Sequence, residues 1–191
     1  MSDEKRLLLH ACCAPCTIYP LERLMQSGWR VAVYFYNPNI HPFTEFEARF
    51  KAVREYCDGQ GVALIADADY DVYDFIHRAG IDDGARCRAC YRMRLDRTIQ
   101  RAAADGFDAV STTLLFSIYQ DHESIHELGD ELSRGEGVEF YYEDFRPGWD
   151  EGRRLSRSQG MYQQKYCGCI FSEQNRYEKK ITRLSHSMRT S

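Results

Sequence analysis

The sequence predicts an α/β protein, a mainly parallel five-stranded sheet with helices on both faces, followed by a basic helical segment at the C-terminus. Short runs rich in β-branched and aromatic residues alternate with longer amphipathic stretches along the chain. Breaker-rich or cysteine-rich loops follow several of those runs. The length of 191 residues, with 43% hydrophobic and 28% charged residues, suits one globular core. Alternating strands and helices imply right-handed crossovers and a sheet covered on both faces. Residues 1–191 are therefore expected to form a single α/β domain, with the basic segment 146–191 packing back on the site.

Arg6 to His10 reads as a short buried strand and residues 17–27 as a helix. Val31 to Tyr36 (VAVYFY) is a second strand, and the breaker-rich Asn37 to Pro42 is a loop. Phe43 to Gln60 has amphipathic helical spacing and stops near Gly59 and Gly61, after which Val62 to Ala66 is the third strand. Tyr70 to Ala79 and Cys90 to Ala104 are predicted helices, and Ala109 to Leu115 a fourth strand. His122 to Leu132 is a further helix and Val138 to Tyr142 the fifth strand. In such a sheet ligands bind beyond the carboxyl ends of the strands. CCAPC, NPNIHP and SIYQD, which follow strands one, two and four, should open on one edge. Neither GxGxxG nor GxxxxGK[ST] occurs, so thiols occupy the edge where a phosphate loop would lie.

No run approaches the roughly 18 apolar residues of a membrane helix. The opening MSDEKRLLLHACC is too briefly apolar for a secretory signal, so a cytoplasmic protein without a membrane partner is expected. The net charge of −4 speaks against general nucleic-acid binding, yet charge is uneven. From Arg146 to Arg189 there are ten Lys or Arg against four acidic residues. Arg86, Arg88, Arg92, Arg94, Arg97 and Arg101 form a second basic series, and positions 94, 97 and 101 share a helical face. Each series alone reads as a solvated helix surface, but two of them make a polyanion site more plausible.

Seven of the eight cysteines fall into three groups: Cys12, Cys13 and Cys16 in CCxxC, Cys87 and Cys90 in CxxC, Cys167 and Cys169 in CxC. Cys57 stands alone within an amphipathic helix and reads as a small core residue. A reducing compartment and a chain of this length argue against structural disulfides. Three readings remain open: a four-thiolate structural zinc, a redox dithiol at Cys13 and Cys16 on a helix start, and an iron-sulfur site with a second metal. The last uses the most cysteines and is favoured.

HACCAPC, YNPNIHP, CRACY, STTLLFSIYQDHE, FRPGWDEGRRLS and QKYCGCIFSE, in that order over about residues 6–175, resemble the QueH type of epoxyqueuosine reductase, a cobalamin-independent family of queuosine biosynthesis. The resemblance implies a fold similar to the adenine-nucleotide α-hydrolase (HUP) group without its nucleotide loop. It also implies reduction of epoxyqueuosine to queuosine at the wobble position of a tRNA with a GUN-type anticodon. A [4Fe-4S] cluster, an adjacent mononuclear metal expected to be iron, and a separate electron donor are implied with it. On this reading Cys87, Cys90, Cys167 and Cys169 hold the cluster, while Cys12 and Cys13, with Asp121, hold the second metal. Cys16 is left between a ligand and a structural role.

Other side chains carry paired readings. Asp121 is a metal ligand or proton donor, or else the N-cap of the following helix. His10 orients a thiolate, or is a structural histidine; Tyr91 and Tyr166 donate a proton or stack a base, or pack around the cluster. His41 and Asn39 shape the pocket or touch the nucleotide. Arg146, Arg153, Arg154 and Arg157 are the candidate tRNA phosphate contacts. Two other classes stay in view: an iron-sulfur tRNA-thiolation enzyme, which would need ATP, and a non-catalytic zinc module that binds RNA.

Overall fold

Three consecutive leucines place one strand at the centre of the sheet. In the structure, a computed structural model that describes residues 4–67 and 69–189, Leu7, Leu8 and Leu9 of strand β1 (Arg6–His10) are fully buried. A strand buried on both faces must be flanked and covered on every side. β1 pairs in parallel with β2 (Arg30–Phe35) on one edge and β4 (Ala109–Thr112) on the other, with Leu9 opposite Val33 and Ser111. β3 (Leu64–Ala66) extends the sheet beyond β2, and β5 (Glu139–Phe140) beyond β4. The order β3-β2-β1-β4-β5 is parallel throughout, as the alternation of strands and helices predicts.

The helices are α1 (Ala14–Gln26), α2 (Phe43–Gln60), α3 (Val72–Ala79), α4 (Asp83–Asp105), α5 (His122–Ser133), α6 (Trp149–Ser158) and α7 (Ile170–Arg189). α1 packs with α2 and α6, and α4 packs with α3 and α5, so both faces are covered. Gly148 and Gly152 allow the α6 contact: a Cβ at Gly148 would run into the Tyr19 ring, and one at Gly152 would lie 2.7 Å from Phe116 Cζ. Cys57 is buried in the core as expected, and burial pushes its thiol up to about 12.

Several boundaries differ from the sequence expectation. α1 begins at Ala14 rather than residue 17, because Pro15 suits a first turn whose amide needs no partner. β4 stops at Thr112, where the hydroxyl accepts a hydrogen bond from Leu114 N (3.2 Å) and turns the chain into a short 3₁₀ helix over Thr113–Phe116. β5 keeps only Glu139 and Phe140 in the ladder, as an edge strand with one neighbour. α4 begins seven residues before Cys90. Its first turns lack apolar periodicity but are fixed by tertiary contacts: Arg86 stacks 4.1 Å over the Phe171 ring, and Cys90 and Met93 pack in one apolar cluster with Phe75, Ala79 and Cys169. Within α7, every residue from Gln174 to Met188 except Tyr177 is exposed. Among the described residues no helix is long and apolar enough to cross a membrane.

Candidate metal and substrate site

The sheet order reverses at β1, and the crevice between the carboxyl ends of β1 and β4 is where open α/β sheets bind ligands. The loop after β1 fills this place with sulfur. The Cys12, Cys13 and Cys16 Sγ atoms lie within 4.8 Å of one another, the one such convergence of three or more Cys, His, Asp or Glu groups among the described residues. The loop after β4 holds them: Cys12 N donates to Thr113 Oγ1 at 3.2 Å, and that hydroxyl donates to Cys12 Sγ at 3.5 Å. Gln164 Nε2 donates from the opposite wall to Cys13 Sγ at 3.0 Å and Cys16 Sγ at 3.5 Å. Contacts with Cys13 and Cys16 hold the Cys12 thiol well below its usual range, against the cost of burial. Burial raises Cys13, and the bond to Cys12 raises Cys16. The triad is thus a preformed, all-sulfur donor set, the chemistry that soft transition-metal sites select. Cys16, whose role the sequence left open, belongs to it.

Cys87, Cys90, Cys167 and Cys169, the expected cluster ligands, lie in one region, but no three of their sulfurs converge within 4.8 Å as those of the Cys12 triad do. Cys87 and Cys90 sit one turn apart on α4, while the CxC loop leads into α7. Beyond burial, the thiols of Cys87 and Cys90 are raised by the charges of Cys167 and Cys169, which places all four in one electrostatic neighbourhood. Burial pushes Cys90 to about 11. All eight cysteines of the chain are free thiols.

The CxC loop is pinned by a residue that the sequence reading did not single out. Arg49 on α2 is 1% exposed; its Nη1 donates to Cys167 O (3.0 Å), its Nη2 to Tyr166 O (2.9 Å) and its Nε to Glu45 (2.7 Å). Gly168 has φ +124° and presses on the NPNIHP loop, where a Cβ would stand 2.9 Å from Ile40 Cγ1. His41 N donates to Gly168 O at 2.8 Å, and Tyr166 Oη to His41 O at 2.6 Å. YCGC and NPNIHP are therefore one interlocked unit. The signal for Arg49 was a charged residue at helical spacing with the buried Phe46 and Val53.

Between the two sulfur groups opens a cleft of about 810 Å³, lined by Cys12 and Cys16 on one side and Cys167 on another. Trp149, Tyr119 and Tyr166 supply aromatic faces, and Arg153, Arg157, Lys165 and Arg176 supply positive charge. Arg153 lies 5.4 Å over the Trp149 ring. Such a volume accommodates a nucleoside.

The remaining expected site residues fall elsewhere. Arg154 is exposed and does not line the cleft, and Arg146 chelates Asp144 at 2.7 and 2.8 Å. Asp121 caps α5, its two oxygens taken by Ser124 N (3.2 Å) and Ser124 Oγ (2.7 Å); those bonds lower its pKa, and it does not join Cys12 and Cys13. Its short reach is committed to the helix start. His10 is fully buried with both ring nitrogens bonded, Nδ1 to Thr112 Oγ1 (2.9 Å) and Nε2 to Tyr36 O (3.1 Å). The carbonyl requires a proton on Nε2, and burial lowers the pKa to about 4, so a neutral His10 ties β1 to its neighbours. Tyr91 Oη donates to Gln120 Oε1 (2.9 Å) and accepts from Asp121 N (3.3 Å), which sets Gln120 in the cleft wall. Outside Arg94, the α4 arginine series is paired with acids, so it offers no free basic strip.

A family model described as "Epoxyqueuosine reductase QueH" matches residues 7–175. The protein of that name from Dehalococcoides mccartyi is 37% identical over 174 residues, covering 91% of this chain and 96% of the relative. The one from Thermotoga maritima is 33% identical over 186 residues, covering 91% and 93%. Among solved structures, the U34-tRNA thiolase NcsA from Methanococcus maripaludis, with its [4Fe-4S] cluster, superposes with a TM-score of 0.59 at 15% identity over 90% of this chain and 62% of that one. That likeness speaks to the fold.

Proposed function

The chain belongs to the QueH family of epoxyqueuosine reductases, and from that membership we propose how its site reduces epoxyqueuosine to queuosine on tRNA. The observation that carries the reading is that the converged Cys12, Cys13 and Cys16 triad opens on an arginine-rimmed, aromatic-lined cleft that Cys167 of the CxC loop also lines. Turning an epoxide into an alkene removes one oxygen as water and consumes two electrons and two protons, which no side chain supplies. Bound at these thiols, an iron-sulfur centre would supply electrons singly and a neighbouring metal would act as a Lewis acid toward the epoxide oxygen.

The chain's own residues do the rest. Cys87, Cys90, Cys167 and Cys169 fit a four-thiolate cluster, and Cys12 and Cys13, with Cys16 in the place expected of Asp121, fit the second metal, taken to be iron. Arg49 and Gly168 hold the CxC loop against NPNIHP. Trp149, Tyr119 and Tyr166 offer faces on which the modified base stacks, and Arg153 and Arg157, one turn apart, meet the flanking phosphates. Of the basic segment 146–191, residues between Trp149 and Arg176 contribute to the cleft of a single α/β domain. Protons reach the departing oxygen from water in the open cleft, because the Tyr91 hydroxyl and the Asp121 carboxylate are engaged elsewhere.

The test is anaerobic preparation of the protein and of Ser variants at Cys12, Cys13, Cys87, Cys90, Cys167 and Cys169, with iron, acid-labile sulfide and turnover of epoxyqueuosine tRNA measured for each. Ser at 87, 90, 167 or 169 should lower sulfide and abolish turnover. Ser at 12 or 13 should lower iron by less, keep most sulfide and still abolish turnover. Stoichiometric zinc without sulfide in the parent protein would instead support the RNA-binding module, and sulfide lost only at Cys12 and Cys13 would reverse the two assignments.

A further inference from the structure

Five of the six arginines on α4 have an acidic partner. Arg86 pairs with Asp83, Arg88 with Glu127 (3.1 Å), Arg92 with Glu131 (2.7 Å), Arg97 with Asp67 (3.0 Å) and Arg101 with Asp105 (2.7 Å). Arg94 has none among the described residues, although it is 4% exposed and the best buried of the six. Its Nε donates to Cys90 O one turn back at 3.3 Å, and its guanidinium lies 5.8 Å from the Tyr91 ring centroid. A guanidinium carries five N–H donors and stays charged at any relevant pH. A buried charge persists only where opposite charge meets it. Burial works against Arg94, and the groups whose ionised forms would offset it are, strongest first, Cys90, Cys12, the Tyr91 hydroxyl and Cys167. Arg94 thus lines the cleft together with Cys12, Cys16 and Cys167, while its Nε is tied to the backbone of Cys90.

We propose that Arg94 is a positioning residue of the redox site, the fixed counter-charge shared by both thiolate groups, which raises the reduction potential of the centre they hold. This rests on the reading above that the thiols bind an iron-sulfur centre. The physical reason is the sign of the charge change. Adding an electron makes a thiolate-ligated centre more negative, and a fixed cation in a low-dielectric surround favours that state over the oxidised one. A carboxylate partner would cancel the effect. The pairing of the five other arginines and the isolation of Arg94 is the arrangement such a role requires.

The test uses the iron-loaded full chain, with Arg94→Met, Arg94→Lys and the paired control Arg97→Met. Iron and sulfide are assayed, and the midpoint potential is read by anaerobic redox titration followed by electron paramagnetic resonance. Arg94→Met should move the midpoint to a more negative value, Arg94→Lys should restore most of the shift, and Arg97→Met should leave it in place. An unchanged midpoint in Arg94→Met, with cluster content equal to the parent, overturns the proposal. Should Arg94→Met fail to retain iron, Arg94→Lys decides: retention with a near-parental midpoint supports a charge role, and loss in both variants overturns it in favour of shape. Absence of labile sulfide from the parent protein overturns the cluster reading itself, an outcome visible before any variant is compared.

Discussion

Replacing Arg49 with Met should release the CxC loop and destabilise the whole chain. Met has similar bulk and fills the volume, so the loss is one of charge and hydrogen bonds. Arg49 makes two bonds to the carbonyls of Tyr166 and Cys167 and one ion pair to Glu45, whose side chain is 10% exposed. Hydrogen bonds from a charged donor contribute about 1.5–3 kcal/mol each, and removing one partner of a buried pair costs about 3–5 kcal/mol. These contributions overlap, because the same guanidinium makes all of them, so a total of about 3–5 kcal/mol is expected rather than their sum. For a chain of this length that is a fall in Tm of roughly 6–20 °C. The assay is thermal unfolding of the metal-free protein with limited proteolysis across 159–169, which should become the first cleaved segment. Glu45→Gln in the same background should recover part of the loss, about 1–3 kcal/mol of coupling, because it removes a buried carboxylate charge left with only the Tyr162 hydroxyl as partner. Destabilisation below about 1 kcal/mol with the loop still protected would refute the view that Arg49 ties α2 to the CxC loop.

Other outcomes follow from the same geometry. Arg153→Ala with Arg157→Ala should weaken tRNA binding and make its salt dependence shallower, each lost phosphate contact reducing the slope by about 1, with iron content unchanged; Arg154→Ala, outside the cleft, should change it less. Asp121→Ala should cost about 1 kcal/mol through loss of the α5 cap, read by chemical denaturation, while iron and sulfide stay at parental values; loss of metal would return Asp121 to the ligand set. Gly168→Ala should lower both stability and iron content, because the added Cβ meets Ile40 and the φ of +124° disfavours any side chain. Gln164→Leu should keep the fold but slow metal uptake at Cys12, Cys13 and Cys16, measured by iron incorporation over time, as two thiols lose their amide donor.

The amino-acid sequence alone determined the parallel α/β architecture, because alternation of buried apolar strands with helices leaves few other ways to cover a sheet. It also determined which edge carries the chemistry and that thiols crowd it, since CCAPC follows the central strand directly. Local chemistry fixed these features, within one or two turns of chain. The tertiary structure decided what depends on residues far apart. Cys16 turned inward to join Cys12 and Cys13, and the N-cap of α5 claimed Asp121. The β-sheet claimed His10, and α4 extended over Cys87 because Phe171, more than eighty residues away, covers Arg86. In sequence Arg94 reads as one of a solvated basic series, and Arg49 is not singled out at all. Only the fold distinguishes them: Glu45 one turn away and two carbonyls of a distant loop satisfy Arg49, whereas Arg94, with no acidic partner among the described residues, lines the cleft beside Cys12 and Cys167. A charge on a helix shows its position in the sequence, but its partner is set by whichever element packs against it.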